Sequence, residues 1–254
     1  VATSCPAICE YVEKYMPDLL PNMAPIVSPM IAMGRVVHKR YGKEVKIVFI
    51  GPCTAKKVEA QEKDVKDAVD VVLTFNELED LWKTFNVHPE EANKVAFDPP
   101  HPYLGRLYPI SGGLLKSAGL PTDIMDNDVI FTEGKQRTLD MLDSLQNGEI
   151  KAKFVDLLFC EGCINGPGQN SSENPFTRKQ KVVKYTQATK IQTDLDLWEK
   201  ELESFRDVNV FRRFRDKRII AIDPTEEDIR TILARINKFQ ETDELNCGAC
   251  GYDS

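Results

Sequence analysis

Phe154-Val155-Asp156-Leu157-Leu158-Phe159-Cys160-Glu161-Gly162-Cys163-Ile164-Asn165-Gly166-Pro167-Gly168-Gln169 is the stretch on which the reading of this chain turns. Its first half is an apolar run of strand length, and two thiols separated by two residues follow at once. That order predicts a ligand pair delivered at the end of a buried strand. The glycines after the pair permit positive φ and a close backbone approach to a bulky inorganic ligand.

A second run, Val45 to Ile50, is apolar and β-branched and ends in Gly51-Pro52-Cys53. It reads as another buried strand with a thiol at its carboxyl end. Cys5, followed by Pro6 and by Ile8, Tyr11, Val12, Tyr15 and Met16, reads as the start of an amphipathic helix with proline in its first position. A cysteine there has its thiolate favoured by the helix dipole and unpaired amides. Three separate elements therefore offer thiols at their ends, where ligand clefts of open α/β sheets form.

The rest of the chain alternates in the same way. Met16 to Pro29 reads as loop, Met30 to Tyr41 as helix, and Thr54 to Ala60 as a helix start. Asp70 to Thr74 reads as strand, and Asn76 to Phe85 as a helix with Leu78, Leu81, Trp82 and Phe85 inward. Val87 to Leu107, rich in proline, is the expected crossover between lobes. The Ser111-Gly112-Gly113 turn opens a short helix, Asp128 to Phe131 is a strand, and Thr132 caps a helix to about Gln146. Beyond a loop at Ser171 to Asn174, Thr193 to Arg206 reads as an amphipathic helix, Ile219 to Ile222 as a strand, and Pro224 to Phe239 as a helix opened by Thr225, Glu226 and Glu227. The expected fold is α/β: two lobes, each a small twisted, mostly parallel sheet flanked by helices, with a metal cluster in the cleft between them. Residues 1–245 form that domain, with the crossover near 87–107, and 246–254 the start of a further module.

Composition narrows the function. The 254 residues are 42% hydrophobic, enough for a substantial core, and the net charge of -7 argues against a nucleic-acid partner. The cations Arg206, Arg212, Arg213, Arg215, Lys217 and Arg218 have acidic neighbours and read as a solvated face. No run suggests a membrane span or a signal peptide, so a cytoplasmic location is expected. Both ends look cut. Seven cysteines, at 5, 9, 53, 160, 163, 247 and 250, read as metal ligands or redox centres in a reducing compartment. Four of them make a ligand set for an iron–sulfur cubane or a structural zinc; their wide spacing favours the cubane. Lys56, three residues after Cys53 on one face of a helical turn, reads either as a donor to an anionic ligand beside the metal or as a surface lysine.

Thr3-Ser4-Cys5-Pro6-Ala7, Gly51-Pro52-Cys53-Thr54-Ala55-Lys56-Lys57-Val58-Glu59 and Cys160 to Gln169 resemble, in order and spacing, the three signature motifs of the H-cluster domain of [FeFe]-hydrogenases. Leu20-Pro21-Asn22 through Ser28-Pro29 and the Ser111-Gly112-Gly113 turn agree as well. The resemblance covers residues 1 to 170 well. It implies that Cys5, Cys53, Cys160 and Cys163 hold a [4Fe-4S] cluster. By the same resemblance Cys163 bridges to a diiron subcluster with CO, CN and azadithiolate, and Lys56 donates to one cyanide. Gly51, Pro52, Leu158, Ser111 and Gly112 would line the cofactor. The family interconverts H2 with protons and electrons anaerobically. Its implied partners are a redox partner such as ferredoxin or adjacent iron–sulfur domains, a downstream signalling module, and maturation proteins that install the diiron unit.

Three departures separate this sequence from highly active members. Ser4 stands where they carry a proton-relaying cysteine, and a hydroxyl is a far weaker acid than a thiol. Gly51 and Leu158 stand where they have methionines. The last ligand pair has two intervening residues rather than three. These features resemble the sensory (regulatory) branch, which turns hydrogen over slowly. The alternatives are a cluster-assembly-type relative holding only a [4Fe-4S] cluster, and a structural metal scaffold within a signalling protein. Cys247 and Cys250 resemble the opening of a small iron–sulfur module that two thiols alone cannot complete, so they read as an unmetallated tail. Cys9 reads as a core thiol or part of a non-standard proton path, and His38, His88 and His101 as ordinary surface or core side chains.

Overall fold

A computed structural model describes residues 1–93, 95–120, 128–191, 193–220, 224–240 and 243. Two compact units are present, Val1–Arg218 and Ile219–Ser254. The larger is mixed α/β. Its elements are α1 (Pro6–Tyr15), α2 (Pro29–Tyr41), β1 (Val48–Ile50), α3 (Ala55–Gln61), β2 (Val71–Leu73), α4 (Phe75–Thr84), α5 (Gly113–Ser117), β3 (Val129–Glu133), α6 (Lys135–Gln146), β4 (Phe154–Leu158), α7 (Pro175–Ile191) and α8 (Leu195–Glu203). The described part of the second unit holds α9 (Glu226–Arg235), opened by a capping box between Thr225 and Asp228.

Both sheets are two-stranded and parallel, and each closes one βαβ unit. β1 pairs with β2 in the register Val48↔Val71 to Ile50↔Leu73, with α3 in the crossover. β3 pairs with β4 from Val129↔Phe154 to Glu133↔Leu158, with α6 in the crossover. Two apolar cores correspond to them. One joins Ile8, Cys9 and Val12 of α1 to Leu142 of α6 and to Val155, Leu157 and Leu158 of β4. The other joins Met30 and Ile31 of α2 to Ala60, Val65, Ala68, Val69 and Val72. The expected pair of small parallel sheets flanked by helices is what the chain forms.

Several local expectations differ from the structure. The Val45 to Ile50 strand is shorter, and it is not buried: Val48 and Ile50 are 48% and 42% exposed. Ile47 and Phe49 turn toward the second core, because alternate residues of a strand face opposite sides. Thr132 lies inside β3, and the residue that opens α6 is Gly134 at φ 95°. α4 buries no side chain fully, and Leu81 and Phe85 point to solvent. Met16 to Pro29 is not all loop, since Pro17–Asn22 is a 3-10 turn. α8 is shorter than Thr193 to Arg206, with Leu195 and Leu202 exposed. Ile219 and Ile220 take no regular structure, and the rest of that expected strand lies outside the described residues. α7 had no counterpart in the sequence reading: Phe176 and Ile191 at its ends are exposed, and Thr186 is its one buried residue, so no apolar stripe announces it.

The solvated cationic face is corrected at Arg212, which is buried, and in part at Lys217; Arg206, Arg213, Arg215 and Arg218 are exposed. Residues 208–218 form an extended strap laid over α1 and α3. Val27 N–H donates to Val210 O at 2.9 Å, Arg212 N–H to Pro25 O at 3.1 Å, and Lys217 N–H to Glu13 O at 2.9 Å. Lys217 Nζ pairs with Glu13, Glu62 and Glu10 at 2.8, 2.7 and 3.1 Å, and Arg215 pairs with Asp64 at 2.7 Å. Burial opposes the charge on Lys217, but the three carboxylates raise its pKa all the same. Arg212 is buried.

Candidate metal centre

Each predicted thiol sits at the end of an element. Cys5 is the N-cap of α1, with Pro6 in the first helical position. Cys53 follows the Gly51-Pro52 turn at the carboxyl end of β1, and Cys160 follows β4. Cys163 opens a 3-10 turn, Cys163–Asn165. Cys5 is buried and the other three are half-buried.

Backbone contacts lock these ends together. Gly134 N–H bridges Leu158 O and Cys160 O at 3.0 and 3.1 Å, and Ile164 N–H donates to Pro109 O at 3.3 Å. Gly162 has φ 76° and takes the positive-φ step between the two thiols. Gly168 N–H donates to Pro52 O at 2.8 Å. A Cβ on Gly166 would meet Pro52 O at 2.6 Å, and one on Gly168 would meet Thr74 Cβ at the same distance. The glycines after the thiol pair therefore clear space for the Cys53 turn and its neighbour, not for an inorganic ligand directly. The Ser111-Gly112 turn lies just beyond Pro109, and Phe131 packs where a Gly112 Cβ would approach at 3.3 Å.

The four sulfurs lie within electrostatic reach of one another. Burial pushes the Cys160 thiol up to about 11, with Cys5 and Cys53 adding to the shift. Cys163 is pushed up to about 12 by burial, with Cys5, Cys53 and Cys160 raising it further and Lys56 pulling it down. Cys5 is also raised by burial, against donation from the Phe159, Ile8 and Ala7 amides. Among the described residues, no three His, Cys, Asp or Glu side chains close on a single ion position.

Lys56, on α3, is 12% exposed at its side chain, so the surface-lysine reading is set aside. Its ammonium donates to Ser28 Oγ at 3.1 Å and Glu59 Oε2 at 3.2 Å, and lies 5.7 Å from the centre of the Phe49 ring. That ring also stands 2.9 Å from where a Gly51 Cβ would be, so Phe49 fills space that a side chain at 51 would take. Leu158 is buried in the first core. Ser4 Oγ is buried with no hydrogen-bond partner. It faces Asp156 closely enough to restrain that carboxyl, which burial pushes up to about 6, yet outside hydrogen-bond geometry.

Cys9 is a core thiol whose Sγ meets Thr3 O at 3.8 Å. His38 ring nitrogen meets Val45 O at 3.4 Å, His88 stands by Glu90, and His101 by Glu201, all away from the thiols. Cys247 and Cys250 lie outside the described residues. Sequence reasoning missed the buried polar set Ser28, Glu59 and Arg212, and Asp156. The one available signal was the three-residue spacing of Lys56 and Glu59, which places them on one helix face.

The family profile of the iron only hydrogenase large subunit, C-terminal domain, matches residues 1–167. Solved structures share the fold at low identity. A variant of the [FeFe]-hydrogenase HydA1 from Chlamydomonas reinhardtii is 18% identical, with a TM-score of 0.60 over 86% of this chain and 76% of that one. A structure of HydA(deltaEFG) described for stepwise H-cluster assembly is also 18% identical, with a TM-score of 0.58 over 84% of this chain and 72% of that one. With two thirds of its length matched by the profile, this chain belongs to the family of the iron only hydrogenase large subunit, C-terminal domain.

Proposed function

We propose that this domain binds an H-cluster, a [4Fe-4S] cubane joined to a diiron subcluster, and slowly interconverts H2 with protons and electrons as a sensory member of its family. The observation that carries the reading is the placement of Cys5, Cys53, Cys160 and Cys163 at the ends of three elements tied to one another by the Gly168–Pro52 and Gly134–Cys160 backbone bonds, with Lys56 half-buried on the helix after Cys53. The residues fit the group. Thiols whose ionisation burial opposes become thiolates when a cationic cluster compensates them, and four thiolates are the donor set of a cubane.

When bound, the cluster supplies the hydrogen chemistry and the path for the electron. The chain does the rest. Cys5, Cys53, Cys160 and Cys163 would hold the cubane, and Lys56 would donate to an anionic ligand of the diiron unit, with Gly51, Pro52, Leu158, Ser111 and Gly112 lining it. Ser4, beside Cys5, offers a weakly acidic hydroxyl in place of a faster proton donor, which supports slow turnover. The domain works in the anaerobic cytoplasm with H2 and protons, receives its diiron unit from maturation proteins, exchanges electrons with ferredoxin or adjacent iron–sulfur domains, and signals to a module elsewhere in its protein.

Iron counting and infrared spectroscopy test this together. After loading with a synthetic diiron complex, about six irons per chain and bands of bound carbonyl and cyanide are expected. About four irons with no such bands would leave a cubane scaffold and overturn the reading. In the loaded protein Ser4→Cys speeds H2 turnover, and an equal or lower rate would remove Ser4 as the cause of slowness.

A further inference from the structure

Glu59 is the centre of a buried charge cluster. Its side chain is 1% exposed. Oε2 accepts from Ser28 Oγ at 3.0 Å and from Lys56 Nζ at 3.2 Å, while Oε1 accepts from Arg212 Nη1 at 2.9 Å. Arg212 is 4% exposed, and its guanidinium stacks 4.8 Å from the Phe214 ring centre. The strap that carries it is tied down on both sides: by the Val27–Val210 and Arg212–Pro25 backbone bonds, and by Lys217 among three glutamates.

Two cations meet this one carboxylate, each on its own oxygen, Lys56 on Oε2 and Arg212 on Oε1. Had Lys56 been the sole partner of Glu59, the pair would be neutral, and the ammonium would be drawn onto the carboxylate with little attraction left for an anion. With Arg212 holding Oε1, Glu59 anchors Lys56 without cancelling it. The location matters because Lys56 lies on α3, three residues after Cys53, and its ammonium pulls the Cys163 thiol down electrostatically.

We infer that Arg212 is a positioning residue for Lys56: acting through Glu59 across 153 residues of chain, it fixes the ammonium and keeps its charge available to an anionic ligand beside Cys163. The strap is thus part of the site's supporting shell, and its Phe214 packs on the apolar core that holds Cys5. This inference rests on the proposed role of Lys56 for its consequence, but the coupling itself is measurable without a diiron unit.

The experiment follows the Lys56 ammonium in the full chain by nitrogen-15 NMR, assigned with Lys56→Ala, and then loads the same proteins with a synthetic diiron complex bearing carbonyl and cyanide. Arg212→Gln is expected to move the Lys56 resonance and to lower diiron retention about 10- to 100-fold with the cubane iron kept. Arg212→Lys restores most of both, and Arg215→Gln, which removes only the exposed pair with Asp64, changes neither. A folded Arg212→Gln protein with the parental Lys56 resonance and parental cyanide bands would overturn the inference. Should Arg212→Gln not fold because Glu59 is left buried and under-compensated, the double variant Arg212→Gln, Glu59→Gln removes that charge. Its Lys56 resonance is expected to match that of Glu59→Gln alone, because Arg212 acts through Glu59, and a further displacement would overturn the inference. If the parent takes up no diiron complex while Arg212→Gln still moves Lys56, the coupling stands and the H-cluster reading falls. A loaded parent with an unmoved Lys56 gives the reverse.

Discussion

The two βαβ units of this chain have the same topology and each hands thiols to the site, yet they differ in how much charge is added to the apolar core that holds each in place. β4 is buried along most of its length, packed between α1 and α6 in an apolar core that includes Leu157 and Leu158. β1 leaves Val48 and Ile50 in solvent, and its paired neighbour Val71 is exposed as well. The β1–α3–β2 unit has a smaller apolar core, Val72 with Ala60, Val65 and Val69, and is tied further by polar contacts: Glu59 on α3 with Lys56 and Arg212, Lys57 with Glu77, and the Gly168–Pro52 backbone bond. Cys5, Cys160 and Cys163 thus hang on the larger apolar core, and Cys53 on a smaller one braced by charge. Burial has no preferred direction, whereas a buried carboxylate bonded on both oxygens sets the orientation of its partners.

The largest effect is expected at the charged half. Glu59→Ala leaves Lys56 and Arg212 buried without their shared carboxylate, and breaking such a cluster costs about 3–5 kcal/mol of folding stability. Urea unfolding of the parent and variant measures it. A loss below about 1 kcal/mol would mean that the charged half is held by something other than Glu59. Leu157→Ala in the buried half, at a fully buried position, costs about 2–5 kcal/mol by the same measurement. The two should be additive within about 0.5 kcal/mol if the halves are independently rooted, and clear non-additivity would show them to be one cooperative core.

That division explains what could be read from the sequence. β4 and its thiols were legible because burial writes itself as an uninterrupted apolar run, and α1 was legible because Cys5-Pro6 and the spacing of Ile8, Val12 and Met16 agree with one another. β1 looked the same in sequence, but Val45 to Ile50 could not reveal that only one face would be covered, which depends on what the rest of the chain lays against it. The strap was misjudged for a related reason. Arg212 and Arg213 are indistinguishable in composition, and only the antiparallel contact of Ile26 with Phe211 sends the first inward to Glu59. Long-range ion pairs leave no local signature, so a buried arginine 153 residues from its partner reads as surface. α7 failed on periodicity, since a helix that buries little has little pattern to display.

A pH measurement probes the buried half from another side. Burial raises the Asp156 carboxyl from its ordinary 3.8 to about 6, against the restraining influence of Ser4. The folded state therefore holds this proton more tightly than the unfolded one. The associated stability is fully present below about pH 4 and is lost as pH rises through about 6, amounting to about 3 kcal/mol at most. Asp156→Asn, which cannot ionise, should gain on the parent by about 1–3 kcal/mol between those limits and keep a constant advantage above them. Equal pH profiles for parent and variant between pH 4 and 7 would show that Asp156 is already ionised in the folded protein and compensated by a group other than Ser4.

The smallest effect belongs to the open face of β1. Val48 is half-exposed and opposite Val71, so Val48→Thr keeps the branched shape and the strand propensity while replacing a methyl with a hydroxyl that water can reach. Its expected cost is within about 0.5 kcal/mol, against several for Leu157→Ala at a strand position of similar chemistry. Thermal unfolding of Val48→Thr beside Leu157→Ala reads the contrast directly. A loss above about 1.5 kcal/mol at Val48 would mean that its face is desolvated in the folded protein. Both thiol-bearing units would then be rooted by burial, and the asymmetry between them would lie only in where Glu59 and Arg212 sit.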